Sequence, residues 1–171
     1  MAERAGQPTY WIIVGSADNL RRSAERGFSV QGIKSRHRKK AERMAPGDKI
    51  VYYVTGLKAF AGIATITSPY FEDHERIWES GDPKKTAEDY PHRVRIEPDV
   101  ILAEEDFVPA EGIARQMQYV SKWPADNWTL AFQGNVHVIG EDDYRLIREA
   151  IEARDPVGAV SGAEAVRQVG N

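Results

Sequence analysis

The chain has 171 residues, enough for one domain with its own core and short loose ends. It contains no cysteine, which excludes disulfides and thiolate metal sites. A formal net charge of −3 argues against a protein that coats long duplex DNA, while leaving room for a local basic patch. Met1 to Pro8 lacks the apolar stretch of a secretory signal, and no apolar run is long enough to cross a bilayer. A cytoplasmic protein without membrane contact is therefore expected.

Tyr10 to Val14 (YWIIV) is a short run of strand-forming apolar residues and predicts a buried first strand. Gly15-Ser16 breaks it. Asp18 or Asn19 is placed to cap a short helix over Leu20 to Arg26, which Gly27 stops. Phe28 is then expected on a loop just past the helix end. Gly32 to Met44 is polar and basic, with six Lys or Arg side chains between Lys34 and Arg43. Its tail is expected to be helical, with Ala41 and Met44 facing in. Pro46-Gly47-Asp48 marks a turn. Lys49 to Thr55 and Ala59 to Thr67, joined by Gly56-Leu57-Lys58, give the clearest hairpin in the chain. Gly62 inside its second strand points to a bulge or a close backbone approach.

Tyr70 to Tyr90 is long, charged and irregular around Trp78, and such loops in compact domains are often functional. His92 to Pro98 alternates like a half-buried strand, and Val100 to Leu102 predicts another short one. Pro109 to Tyr119 reads as a weak amphipathic helix, Trp123 to Trp128 as a loop centred on Pro124, and Val136 to Ile139 as a last strand. Glu141, Asp142 and Asp143 open a final helix where the helix dipole favours acids; Tyr144, Ile147 and Ile151 share one of its faces. Beyond Arg154 the small residues show no periodicity. The domain is expected over residues 9–154, between a flexible start at 1–8 and a disordered tail at 155–171. Many short strands with few short helices predict an α+β fold on a small, strongly curved sheet, since the long helical crossovers of a doubly wound parallel sheet are missing.

Several stretches taken together resemble one family. They are the YW-aliphatic first strand, Gly27-Phe28 after the first helix, Arg43-Met44-Ala45-Pro46-Gly47-Asp48 leading to Tyr52-Tyr53, and Phe60-Ala61-Gly62-Ile63-Ala64. The pattern resembles the EVE domain, a PUA-like domain related to YTH and ASCH domains, from about Tyr10 to about Arg154. The resemblance implies a small PUA-like β-barrel flanked by short helices. It also implies a pocket for one flipped-out modified base, a modified cytosine in DNA or a modified base in RNA. Carried over by position, Ser16 and Asn19 match the polar loop that contacts the base edge. Phe28, followed by Ser29, matches one aromatic wall, and Trp78 lies in the loop of the second. Val14-Gly15 stands where YTH readers carry Lys-Ser, and a phenylalanine stands where they carry a tryptophan.

The residues themselves bear on the same chemistry. Extracting a base from its stack costs a few kcal/mol. Stacking on aromatic faces returns about 1–3 kcal/mol per base, and hydrogen bonds to the base edge add to it. Phe28, Trp78, Trp11 and Tyr53 are the candidate stacking surfaces; Ser16, Asn19 and the open backbone near Gly15 are the candidate edge contacts. Trp11 fits equally well as core, and Asn19 as a helix cap. Lys34, Arg36, Arg38 and Lys39 are candidates for flanking phosphates, although a run of charge is by default a solvated face. The four histidines show no metal-ligand spacing, and no P-loop, Gly-x-Ser-x-Gly or dinucleotide fingerprint occurs. A non-catalytic reader of modified DNA or RNA, without a cofactor, is the leading expectation. Two alternatives remain: an ASCH-type nucleoside amidohydrolase using Lys34, and a small-molecule or protein-interaction module.

Overall fold

Apolar runs set the strands of the computed structural model, which describes residues 6–155. The expected disordered tail, apart from residue 155, lies outside the described residues, as do residues 1–5. The strands are β1 (Tyr10–Gly15), β2 (Val30–Ile33), β3 (Lys49–Val54), β4 (Ala59–Ile66), β5 (Phe71–Glu72), β6 (His92–Ile101), β7 (Val108–Pro109) and β8 (Val136–Ile139). They join one mixed sheet whose main path runs β2-β6-β4-β3-β1-β8, with β5 paired to β6 and β7 to β4. The sheet curls into a half-barrel. Around it lie α1 (Ala17–Glu25), α2 (Arg38–Glu42), α3 (Glu111–Ala114), α4 (Glu141–Arg154) and several short 3-10 turns. This is the α+β, PUA-like architecture the sequence led us to expect.

The pairing that positions the site is β1 with β3. They run parallel, from Tyr10 beside Lys49 to Gly15 beside Val54, while the other described pairs are antiparallel. The chain crosses between them through α1, β2 and α2. Curvature comes from two register shifts, one in β3 between Tyr52 and Tyr53 and one in β4 between Ile63 and Ala64. Gly62 is the close approach anticipated from the sequence: a Cβ there would stand 2.6 Å from the Val100 carbonyl oxygen. The sheet separates two apolar layers. On one side Tyr53, Phe60 and Phe132 pack under Tyr144, Ile147 and Ile151 of α4. On the other Trp11, Ile13, Phe28 and Tyr52 pack with Ala41 and Met44 of the α2 region.

Several elements differ from the sequence expectations, among them α1, which starts at Ala17 with Ser16 as its cap rather than at Leu20 under Asp18 or Asn19. Val30 to Ile33 forms β2, whose four residues are all buried, although Gln31 and Gly32 give it a loop-like composition. His92 to Ile101 is one strand that runs through Pro98. The helix expected over Pro109 to Tyr119 shrinks to the single turn of α3. Ala125 to Phe132 coils as 3-10 turns where a loop was expected.

Candidate functional site

Crevices in open α/β sheets form at the carboxyl ends of parallel strands. Here the ends of β1 and β3 meet under α1, and the segment 70–90 closes the far side. The resulting slot is narrow, about 30 Å³, and reaches about 400 Å³ only when the open solvent at its mouth is included. Ser16 caps α1 from the slot rim, its Oγ accepting from the Asn19 backbone N–H at 3.1 Å.

Specific contacts pin the 70–90 segment against α1. The Asn19 side-chain amide pairs with the peptide of Glu79: Nδ2 donates to its carbonyl at 2.8 Å and Oδ1 accepts from its N–H at 3.0 Å. Trp78 Nε1 donates to Ser23 Oγ at 2.9 Å, and the indole is 2 % exposed. The ring lies flat against Gly32, where a Cβ would stand 2.4 Å from Trp78 Cζ3. Arg93, 1 % exposed, organises the rest. Its guanidinium sits 5.2 Å from the Trp78 ring centroid and donates to the carbonyls of Tyr90 (3.0 Å), Asp89 (3.1 Å) and Glu75. Tyr90 holds a left-handed backbone with φ of +53°, uncommon for a bulky residue. Arg93 on its carbonyl and Glu88 on its N–H (3.0 Å) keep it there.

The slot walls also carry buried polar atoms without partners. Gln31 Nε2 donates to the Gly32 carbonyl at 2.9 Å, which sets the orientation of the amide and leaves Oε1 buried and unpaired. The Tyr52 hydroxyl is likewise buried and unpaired, and burial pushes its pKa well above the ordinary tyrosine value. Each such group costs about 1–3 kcal/mol. Among the described residues only four side chains have such an atom, and two of them line this slot. No acid, histidine or lysine contributes to the lining.

Of the seven base-contact residues expected from the sequence, Ser16, Asn19, Tyr53 and Trp78 come together at the slot. Asn19 spends its amide on Glu79, with a longer contact of 3.4 Å to the Tyr90 hydroxyl. Tyr53 reaches the lining, but its ring is stacked on Phe132 (4.5 Å, 20°) in the opposite apolar layer. Phe28 requires a correction. It follows Gly27 as expected, yet its left-handed backbone (φ +50°) and the bond from its N–H to the Ser23 carbonyl tuck the ring inward. There it is fully buried, edge-on to Tyr52 at 5.7 Å, and it is not among the residues that line the slot. Trp11 is core as well, held by its Nε1 to Asp48 Oδ2 at 3.0 Å. Ser29 is exposed and donates to the Arg26 carbonyl, closing the end of α1 outside the slot.

Sequence reasoning missed Gln31, Tyr90 and Asn135. Gln31 sits in β2, a strand the sequence reading did not anticipate. Tyr90 ends the irregular segment already singled out around Trp78. Asn135 donates from Nδ2 to the Val14 carbonyl and accepts on Oδ1 from the Lys34 N–H (2.8 Å), tying β1 to the basic run.

That run splits in space. Lys34 is partly exposed, with Nζ 5.8 Å from the Tyr90 ring centroid at the slot. Partial burial, then the charges of Arg36 and Lys85, hold its pKa below the ordinary lysine value. Arg36 is exposed near Gly134. Arg38 is paired with Glu42 at 3.0 Å, and Lys39 is exposed on α2. Lys34 and Arg36 therefore stand by the slot.

The profile of one protein family, the EVE domain, matches residues 9–150. A UPF0310 protein of Pyrococcus horikoshii is 28 % identical over 153 residues, covering 84 % of this chain and 99 % of the relative. A UPF0310 protein of Mesorhizobium japonicum is 31 % identical over 154 residues, covering 84 % of this chain and 92 % of the relative. Among solved structures, the YTH domain of the Zygosaccharomyces rouxii MRB1 protein in complex with N6-methyladenosine RNA superposes with a TM-score of 0.59 at 17 % identity, covering 85 % of this chain and 87 % of that one. Human THYN1 in complex with 5-methylcytosine-containing DNA gives a TM-score of 0.56 at 15 % identity, covering 84 % of this chain and 98 % of that one.

Proposed function

The chain belongs to the EVE domain family, and from that premise we propose that it binds nucleic acid by capturing one modified base in the slot under α1. The observation that carries this reading is the pair of unpartnered atoms, Gln31 Oε1 and Tyr52 Oη, on two residues that line a slot also lined by Trp78 and Tyr90. Gln31 Oε1 can only accept, so the ligand brings an N–H. The Tyr52 hydroxyl can donate, so the ligand also brings a ring nitrogen or carbonyl oxygen. The unpaired edge of a nucleobase carries both. Two neighbours of the same fold were solved in complex with N6-methyladenosine RNA and with 5-methylcytosine-containing DNA, which supports the reading.

Binding suits this slot better than catalysis. Its lining has no acid, histidine or lysine to serve as general base. Lys34, the residue an amidohydrolase would use, is not part of that lining. Lys34 and Arg36 take flanking phosphates, in the cytoplasmic setting that the composition suggests. Affinity then falls with salt with a slope of about −0.7 per phosphate contact on a single strand.

Equilibrium binding of oligonucleotides that each carry one modified base, compared with the unmodified twin, tests the reading. At least one modified strand should bind about tenfold tighter, ~1.4 kcal/mol. Gln31→Ala should collapse that ratio. Equal affinity across a panel of modified cytosines and adenines, in both DNA and RNA, sinks it.

A further inference from the structure

A second surface adjoins the slot along β8. Asn135 lines the slot, and the residues on either side of it meet the basic run. Arg36 lies within 4.0 Å of where a Cβ on Gly134 would be, and Lys40 Nζ donates to the Val136 carbonyl at 3.2 Å. One residue further, His137 Nδ1 shares a 2.6 Å hydrogen bond with the Tyr119 hydroxyl. The Tyr119 ring lies 5.9 Å from that of Trp123, and the Lys122 ammonium stands 5.6 Å from the Tyr119 ring centroid. Asp143 holds this turn in place, its carboxylate accepting from the N–H groups of Gln118 and Tyr119 at 2.9 Å each. Trp11, Trp78 and Trp128 are buried, whereas Trp123 is partly exposed and Lys122 is exposed.

Cations interleaved with partly exposed aromatic faces are the surface that single-stranded nucleic acid uses, because every base has a face that can stack. Here that surface lies against β8, next to the Asn135 that lines the slot, with Tyr119 and Trp123 resting on the α4-side layer. Asn135 immediately precedes β8 and His137 lies within it, so the two are at most about 7 Å apart, comparable to one nucleotide step of an unstacked strand. We propose that Trp123 and Tyr119 form a platform for a base neighbouring the captured one, with Lys122 and Arg36 on its phosphates. The partner is a single strand, and a flipped-out base in a closed duplex lacks the neighbour that would reach the platform. The idea extends the reading of the slot as a base site, but its test does not depend on any modification.

A short unmodified oligothymidylate, titrated at low salt, should quench tryptophan emission through Trp123. Trp123→Phe should abolish the quench while anisotropy still reports binding. Trp123→Ala and Lys122→Glu should each weaken strand binding about tenfold, equivalent to ~1.4 kcal/mol and within the range for one stacked base. Neither should change the affinity for a free modified nucleoside. Lys122 is exposed, so its variant folds even if loss of the indole disturbs the turn. Unchanged strand affinity in both variants, or a wild-type chain without a quench, overturns the platform. Strand binding and quench that persist in Gln31→Ala, while discrimination between modified and unmodified strands is lost, support the platform and the slot as separate sites.

Discussion

Tyr52 and Tyr53 are adjacent in β3 and face opposite sides of the sheet, as alternation along a strand requires. Tyr53 packs into a closed aromatic group, stacked on Phe132, which is itself edge-on to Phe60 and Trp128. Tyr52 packs with Phe28 and Trp11, and its hydroxyl reaches no partner. The buried aromatics of the α4 side thus serve apolar burial and stacking. The α1 side keeps polar atoms in a space they do not fill. Similar residues contribute stability on one face and leave hydrogen-bonding capacity open to a ligand on the other.

The largest effect should fall on the α4 side. Phe132→Ala removes the ring against which Tyr53, Phe60 and Trp128 pack, and such truncations cost about 3–5 kcal/mol. Denaturant unfolding would measure the loss. The preference for modified over unmodified strands should survive in the folded fraction. A fall in that preference would show that the two faces are coupled and break the comparison.

Gly32→Ala should do the reverse. The new methyl would stand 2.4 Å from Trp78 Cζ3 and 2.7 Å from the Tyr90 carbonyl oxygen. That carbonyl is held by Arg93, so the indole must move. Overpacking of this kind costs about 1–3 kcal/mol. Base discrimination should be lost in a variant that remains folded at room temperature, with a shift in Trp78 emission. Retained discrimination would mean that the Trp78 wall does not shape the slot.

The stable face was the legible one. The YWIIV run, the hairpin around Gly56-Leu57-Lys58 and the Tyr144, Ile147, Ile151 stripe all follow from apolar periodicity, and the structure has β1, β3, β4 and α4 there. The slot face was harder to read because its residues break the same rules. Gln31-Gly32 looks like loop, since a buried glutamine is rare and glycine weakens strands, yet these are the residues a ligand slot and a flat-lying indole require. Phe28 was placed correctly past the helix end, but the left-handed turn at Gly27-Phe28 decides which way the ring points, and no periodicity encodes that. The clamp of Asn19 on Glu79 spans sixty positions in the chain and has no local signature.

Tyr52→Phe sharpens the contrast by separating stability from binding. It deletes a hydroxyl that makes no hydrogen bond and keeps the ring against Phe28. The folded state should gain up to about 1 kcal/mol, because a buried unpaired polar group is removed. Affinity for the preferred modified strand should drop about tenfold, ~1.4 kcal/mol. A destabilised variant would point to an unseen partner for the hydroxyl within the fold.

The smallest effect is on pH dependence, and it also divides along the sheet. On the α4 side burial raises the Tyr144 pKa to about 12, so this group does not titrate in the acid range. Beside the slot, partial burial and then the charges of Arg36 and Lys40 lower the His37 pKa from 6.5 to about 4. Between those values the unfolded chain binds a proton at this site and the folded chain does not. The His37 contribution to stability is therefore complete above about pH 6.5, falls as the pH drops toward 4, and levels off below. The ring is only partly buried, so solvent screening keeps the contribution below about 1 kcal/mol. His37→Asn should flatten the slope of unfolding free energy between pH 6.5 and 4 without altering stability at pH 8. Strand phosphates beside Arg36 would offset the local positive charge and raise the His37 pKa, so the complex should take up protons in the same interval. Isothermal titration in two buffers of different ionisation enthalpy reads that uptake, and its absence would place the phosphates away from the His37 side of the slot.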